Sequence, residues 1–218
     1  MPASLLAFLL LTHAPAAQKV ELVPTDDLWI YPHASDAAHD ANLRIWGSEG
    51  KSAPADATEA EELSMAYLKW DLSNLPAGKK LTSAVLVVTN IANPGFTVEQ
   101  AKAAPLQVRP LATTFTEKTW DFEKLGKLLP PKEKTDVFGT GYPESFLADK
   151  PVSFEIDLLK GPNDFRKYLD SARESKSLAL ALTSAIDMAN LGRTAIYKIY
   201  SRDAEKEELR PRLVLGFE

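Results

Sequence analysis

The chain has 218 residues, 45% of them hydrophobic, no cysteine, and a formal net charge of −5 at pH 7. A chain of this size can bury a sizeable core, and without cysteine it has no disulfide, no thiolate metal site and no cysteine nucleophile. The acidic balance and the lack of a basic stripe argue against nucleic acid as a partner.

The elements follow in chain order. Residues 5–11 form a short apolar run and Ala14-Pro15-Ala16-Ala17 supplies small residues, the pattern of an export signal. The run is too short to span a bilayer as a helix, and all 25 basic and 30 acidic residues follow Ala17. The expected division is a signal peptide over 1–17 and a single β-sandwich domain over 18–218. The protein is then secreted, periplasmic or on the cell surface, with no membrane insertion.

Short strands are predicted over 19–23, 28–31 and 42–46, separated by a turn at Pro24-Thr25-Asp26 and a polar loop over 32–41. A long Ala-, Ser- and acid-rich loop occupies 47–63. From Tyr67 onward Leu68, Trp70 and Leu72 alternate with Tyr67, Lys69 and Asp71, the period of a half-buried strand. The turn cluster Ser73-Asn74-Leu75-Pro76-Ala77-Gly78 leads into a second run rich in Val and Leu. One helical turn is expected around 98–103, then strands over 106–111 and 115–122, the latter containing Trp120. Pro130-Pro131, Gly139-Thr140-Gly141 and Pro143 deny long elements to 124–150. A strand over 152–158 precedes a helix that Asn163 can cap, with Phe165, Tyr168, Leu169 and Ala172 on one face. Strands over 178–182, 195–200 and 212–217 finish the chain. Roughly ten strands and one helix, without β/α alternation, predict an all-β antiparallel sandwich of jelly-roll type, with a short capping helix near 163–174.

The stretch YLKWDLSNLPAGKKLTSAVLVV, residues 67–88, resembles the central signature of the DNRLRE-domain family, related to carbohydrate-binding module family 96. Asp26-Asp27-Leu28-Trp29-Ile30 resembles that family's opening strand, and Thr119-Trp120 its mid-domain pair. Phe154-Glu155-Ile156-Asp157 resembles the strand before its cap helix. Ser201-Arg202-Asp203 and Pro211-Arg212-Leu213 resemble its C-terminal motifs. The resemblance covers nearly all of 18–218. It implies a jelly-roll sandwich, an extracellular address and, for some members, polysaccharide binding.

Four groups of residues are candidates for chemistry. If Leu28, Ile30, Leu43 and Ile45 face the core, alternation turns Trp29, Tyr31, Arg44 and Trp46 to the other face. There the rings could stack on sugars and Arg44 could donate to hydroxyls or a carboxylate; packing of the two tryptophans in the core or under loops is the alternative. Tyr67 and Lys69, with Asp71, form a polar row suited to a ligand or to cross-strand pairs beneath a loop. Asp26 and Asp27, with Asp36 and Asp40, are hard oxygen ligands suited to a structural calcium, and no other cofactor is expected. His33, His39, Asp36 and Asp40 form the one histidine cluster, set in a loop rather than in any metalloenzyme spacing. Thirty acidic residues make chance carboxylate pairs uninformative about glycosidase chemistry. The set a lyase could use is Tyr31, His33 and Arg44. The leading expectation is a non-catalytic module that binds polysaccharide or cell-envelope glycan. A structural or adhesive module acting through protein contacts, and a polysaccharide lyase or hydrolase, remain as alternatives.

Overall fold

A computed structural model describes residues 17–31, 39–48, 63–91, 93, 95–119, 128–146, 150–187 and 195–218. The expected signal segment lies outside the described residues, apart from Ala17. Eleven described strands form two antiparallel sheets. They are β1 Gln18–Leu22, β2 Asp26–Ile30, β3 Asn42–Ile45, β4 Met65–Asp71, β5 Leu81–Asn90, β6 Leu106–Leu111, β7 Gly139–Gly141, β8 Val152–Asp157, β9 Ser177–Thr183, β10 Tyr197–Tyr200 and β11 Arg212–Phe217. The first sheet runs β1-β11-β5-β10-β3, with β8 on the opposite side of β5. The second runs β2-β4-β9-β6-β7. Most connections cross from one sheet to the other, so each layer is built from strands distant in sequence. This is the expected all-β sandwich.

The signature stretch supplies β4 and β5, one strand to each sheet. Leu68 and Trp70 of β4 and Leu86 and Val88 of β5 are buried in the core between the layers. Burying large apolar side chains from both layers, each contributing about 1.5–3 kcal/mol, supplies the main driving force for closure. A second, smaller apolar cluster lies on the outer face of the second sheet. Leu28, Ile30, Met65, Tyr67 and Phe115 meet there, with Leu128 and Leu129 packed against them. This sheet is therefore buried on both faces, and its middle strand β9 alternates little because almost all of it is buried.

Two helices accompany the sheets among the described residues. The short α1, Val98–Ala103, starts with a capping box in which Thr97 and Gln100 satisfy each other's backbone donors. The longer α2, Phe165–Ser175, buries Phe165, Leu169 and Ala172 on the predicted face. Its cap is Asp164, not Asn163: the Asp164 carboxylate accepts from Lys167 N at 3.2 Å. The Asn163 amide instead donates to Asp136 O at 3.1 Å, tying the helix entrance to the preceding loop.

Two expectations fail locally. The strand predicted over 115–122 is absent from its described part, where Glu117–Thr119 forms a single 3-10 turn; Trp120 lies outside the described residues. Conversely, Gly139-Thr140-Gly141 reads as a breaker yet forms β7 beside β6. The glycines are needed because β7 brings the edge of its sheet against β8. A Cβ on Gly139 would sit 2.3 Å from Asp157 O, and one on Gly141 2.6 Å from the Ile156 side chain.

Candidate functional site

The first candidate region is the corner where β2, β3 and the start of β4 meet, fastened by the Trp46–Ser64 bridge. Trp29, Tyr31, Arg44 and Trp46 converge here, but not as the open platform expected from sequence. Trp29 is 3% exposed and Trp46 4%, and both belong to the main core. The side of β2 assigned to the core was inverted. Trp29 points between the sheets, while Leu28 and Ile30 point to the outer face, where the second cluster covers them. Alternation in β2 separates two faces but cannot say which is inner when both are buried.

What remains accessible is the rim of this corner. Tyr31 is half-buried and stacks on Trp29 with ring centroids 5.6 Å apart and planes 12° apart. It meets Trp46 edge-on at 5.4 Å. The Arg44 guanidinium lies 5.0 Å over the Trp29 ring, and its side chain is 43% exposed. Asp40 holds it at 3.5 Å and also accepts from Asn42 N. The indole N–H of Trp29 and the Nε–H of Arg44 are both buried without an acceptor. Orphan donors also occur at Trp70, Arg173 and Arg212, but at this corner two such residues share one contact on a stack of rings.

The second expected ligand row lies beneath a loop. Tyr67 is fully buried, and its hydroxyl donates to Leu128 O. Burial pushes its ionisation far above the ordinary tyrosine range. Lys69 donates to Phe115 O and pairs with Asp26 at 3.1 Å. On the same outer face Arg109, also buried, donates to Pro131 O, Glu133 O, Gln107 Oε1 and Thr183 Oγ1. Tyr67 and Lys69 are thus anchors for the covering segment, not the ligand row that sequence left open.

The third region joins both sheets at the outer edge of β2. The free N–H of Asp27 donates to the Glu117 carboxylate at 2.5 Å. The Asp26 carboxylate accepts in return from Thr116 Oγ1 at 2.9 Å and Glu117 N at 3.3 Å. Arg202, in the turn after β10, donates its backbone N–H to Asp27 Oδ2 at 2.7 Å. Its guanidinium reaches Glu117 at 3.2 Å and Thr25 O. Residues 27, 117 and 202 therefore lock an edge strand of one sheet to a turn of the other.

The electrostatics divide the two neighbouring aspartates. Burial works to raise the Asp26 carboxyl, but hydrogen bonds from Thr116 and Lys69, the Lys69 charge and the Glu117 N–H outweigh it and hold it below its ordinary value. Asp27 goes the other way. Burial drives it well above its ordinary value, the Arg202 hydrogen bond opposes, and the charges of Glu117 and Asp203 add to the rise. Glu117 is raised as well, again mainly by burial.

Among the described residues, Asp27, Glu117 and Asp203 form the acidic trio whose ligand atoms lie within 4.8 Å of one another, close enough for a hard cation. It contains Asp27 of the expected calcium set but not Asp26. Asp26 is committed to Lys69 and Thr116, Asp40 to Arg44, and Asp36 lies outside the described residues. The Arg202 guanidinium already supplies a positive charge at the trio. His33 lies outside the described residues, so the histidine cluster and the lyase set are described only in part, at His39, Asp40, Tyr31 and Arg44. Sequence reasoning did not single out Glu117 or Asp203 as site residues. The available signal was position: Glu117 lies two residues before Thr119-Trp120, and Asp203 lies within Ser201-Arg202-Asp203.

No protein-family model matches the chain, and no curated protein matches it.

Proposed function

We propose that this protein is an exported, non-catalytic β-sandwich module of the DNRLRE type that binds polysaccharide or cell-envelope glycan at the Tyr31–Arg44 rim. The observation that carries the reading is a ring stack that ends in a half-buried tyrosine, with the 43% exposed Arg44 side chain laid over its Trp29 ring. A hydroxyl- or carboxylate-bearing sugar at this rim can accept from the exposed end of the Arg44 guanidinium, while Tyr31 offers its ring to a sugar face. The resemblance quoted from residues 26–30, 67–88 and 201–213 supports the same reading.

The adhesive alternative needs an apolar docking face. Among the described residues Val23 is the one exposed large hydrophobic side chain, which favours a polar ligand. The lyase alternative keeps one support, that Tyr31 and Arg44 both pack on Trp29. Affinity gel electrophoresis against neutral and acidic glycans tests the proposal. The expected result is retardation by at least one glycan, loss of it in Arg44→Ala with the melting transition kept, and no unsaturated sugar ends after incubation. Failure of every glycan to retard the protein overturns the binding reading, and release of unsaturated products replaces it with the lyase.

A further inference from the structure

The first sheet ends at β1, and no described strand pairs with its outer side. An open edge of this kind is a template for another strand. Three features of β1 bear on what could pair there. Lys19 and Glu21 are exposed on its outer face, and Val20 and Leu22 pack against the core. Lys19 has no charged partner among the described residues, whereas Glu21 pairs with Arg212 of β11 at 3.0 Å. Immediately past the strand stands Val23, 49% exposed, on the same face as Lys19 and Glu21.

We propose that β1 is a self-complementary dimerisation edge, pairing antiparallel with β1 of a second copy about a two-fold axis at Val20. Three registers centre on the middle of this strand. An axis at Lys19 sets Lys19 opposite itself, and an axis at Glu21 sets Glu21 opposite itself, both repulsive. An axis at Val20 sets Lys19 opposite the partner's Glu21 and Glu21 opposite the partner's Lys19. A two-fold axis duplicates each pair, so one favourable contact appears twice. Glu21 then lies between Arg212 of its own sheet and the partner's Lys19. The join fuses two first sheets into one continuous layer. Five residues a side bury less than a standard interface, which places the dissociation constant in the high micromolar range, about 0.1–1 mM.

Sedimentation equilibrium of the purified protein up to about 1 mM tests this. The wild type is expected to show a monomer–dimer equilibrium. Lys19→Glu and Glu21→Lys, which set like charges opposite each other, should each weaken association by about tenfold or more. The double variant Lys19→Glu/Glu21→Lys restores complementarity and should dimerise again. Melting transitions of all three variants within a few degrees of wild type establish that the fold is kept. A wild type that stays monomeric throughout overturns the proposal. So does a single reversal that dimerises normally, or a double variant that stays monomeric while both singles have lost association.

Discussion

Asp27 shows how one side chain can serve architecture at an electrostatic cost. Its carboxylate receives the Arg202 N–H, yet it is buried beside Glu117 and Asp203, and its ionisation is pushed up accordingly. The folded state therefore holds a proton on Asp27 that the unfolded chain gives up near the ordinary value of 3.8. Between that value and the raised one, the native state binds more protons than the unfolded one. Its contribution to stability is full below the ordinary value and declines as pH rises through the folded value, by up to about 1.4 kcal/mol per pH unit for one proton. Asp26 has the opposite sign: held low, it stabilises above its ordinary value and loses that as pH falls. Asp27→Asn keeps an acceptor for Arg202 and removes the charge. Relative to wild type, its stability should increase as pH rises above the ordinary aspartate value of 3.8, measured by urea denaturation; a difference independent of pH contradicts the assignment. Tyr67 poses a simpler case. Tyr67→Phe deletes the bond to Leu128 O beneath the loop and leaves that carbonyl to find another donor. It should cost about 1–2 kcal/mol in the same measurement, and a neutral result would mean that the loop is not held there.

At the scale of elements, closure depends on places where backbone must approach backbone. Gly161 donates its N–H to Phe138 O at 2.7 Å, and a Cβ there would lie 2.3 Å from the same carbonyl. Gly161→Ala must push α2 and the 137–138 segment apart, with an expected loss of about 2–4 kcal/mol and a melting transition lower by many degrees; an unchanged transition contradicts the contact. Asp164→Ala removes the helix cap and should cost about 1 kcal/mol, a smaller loss than at Gly161. These elements also mark what the chain alone discloses. Strand period and helix spacing place β8 and α2 correctly because each has one wet face and one dry face, and the turn cluster at 73–78 separates β4 from β5 although β4 is buried on both faces. The period does not orient β2, since Leu28 and Trp29 are both buried, on opposite faces. Nor does composition reveal β7, because its glycines answer to the neighbouring strand β8 at Ile156 and Asp157 rather than to local propensity.

At the scale of the molecule, the family-like motifs come together in space. Asp27 of the opening strand, Glu117 before Thr119-Trp120, and Arg202 with Asp203 near the C-terminus make one tie across the two layers. It also separates holding from binding. Asp27 and Tyr67, both pushed up by burial, are tied into structural bonds, while Tyr31 and Arg44 stand at the accessible rim beside the Trp29–Trp46 stack. Of the site expected from sequence, alternation grouped Trp29, Tyr31, Arg44 and Trp46 but turned β2 the wrong way round. Their burial was not legible, because it depends on how β3 and β4 close over β2 at the Trp46–Ser64 bridge. The most direct measurement of the functional claim is an NMR titration of the isotope-labelled protein with a glycan that retards it. The account predicts that the largest shifts fall at Tyr31, at the side-chain N–H groups of Trp29 and Arg44, and at residues 42–46. Shifts concentrated on α2 or along β1, with those groups unmoved, would contradict it.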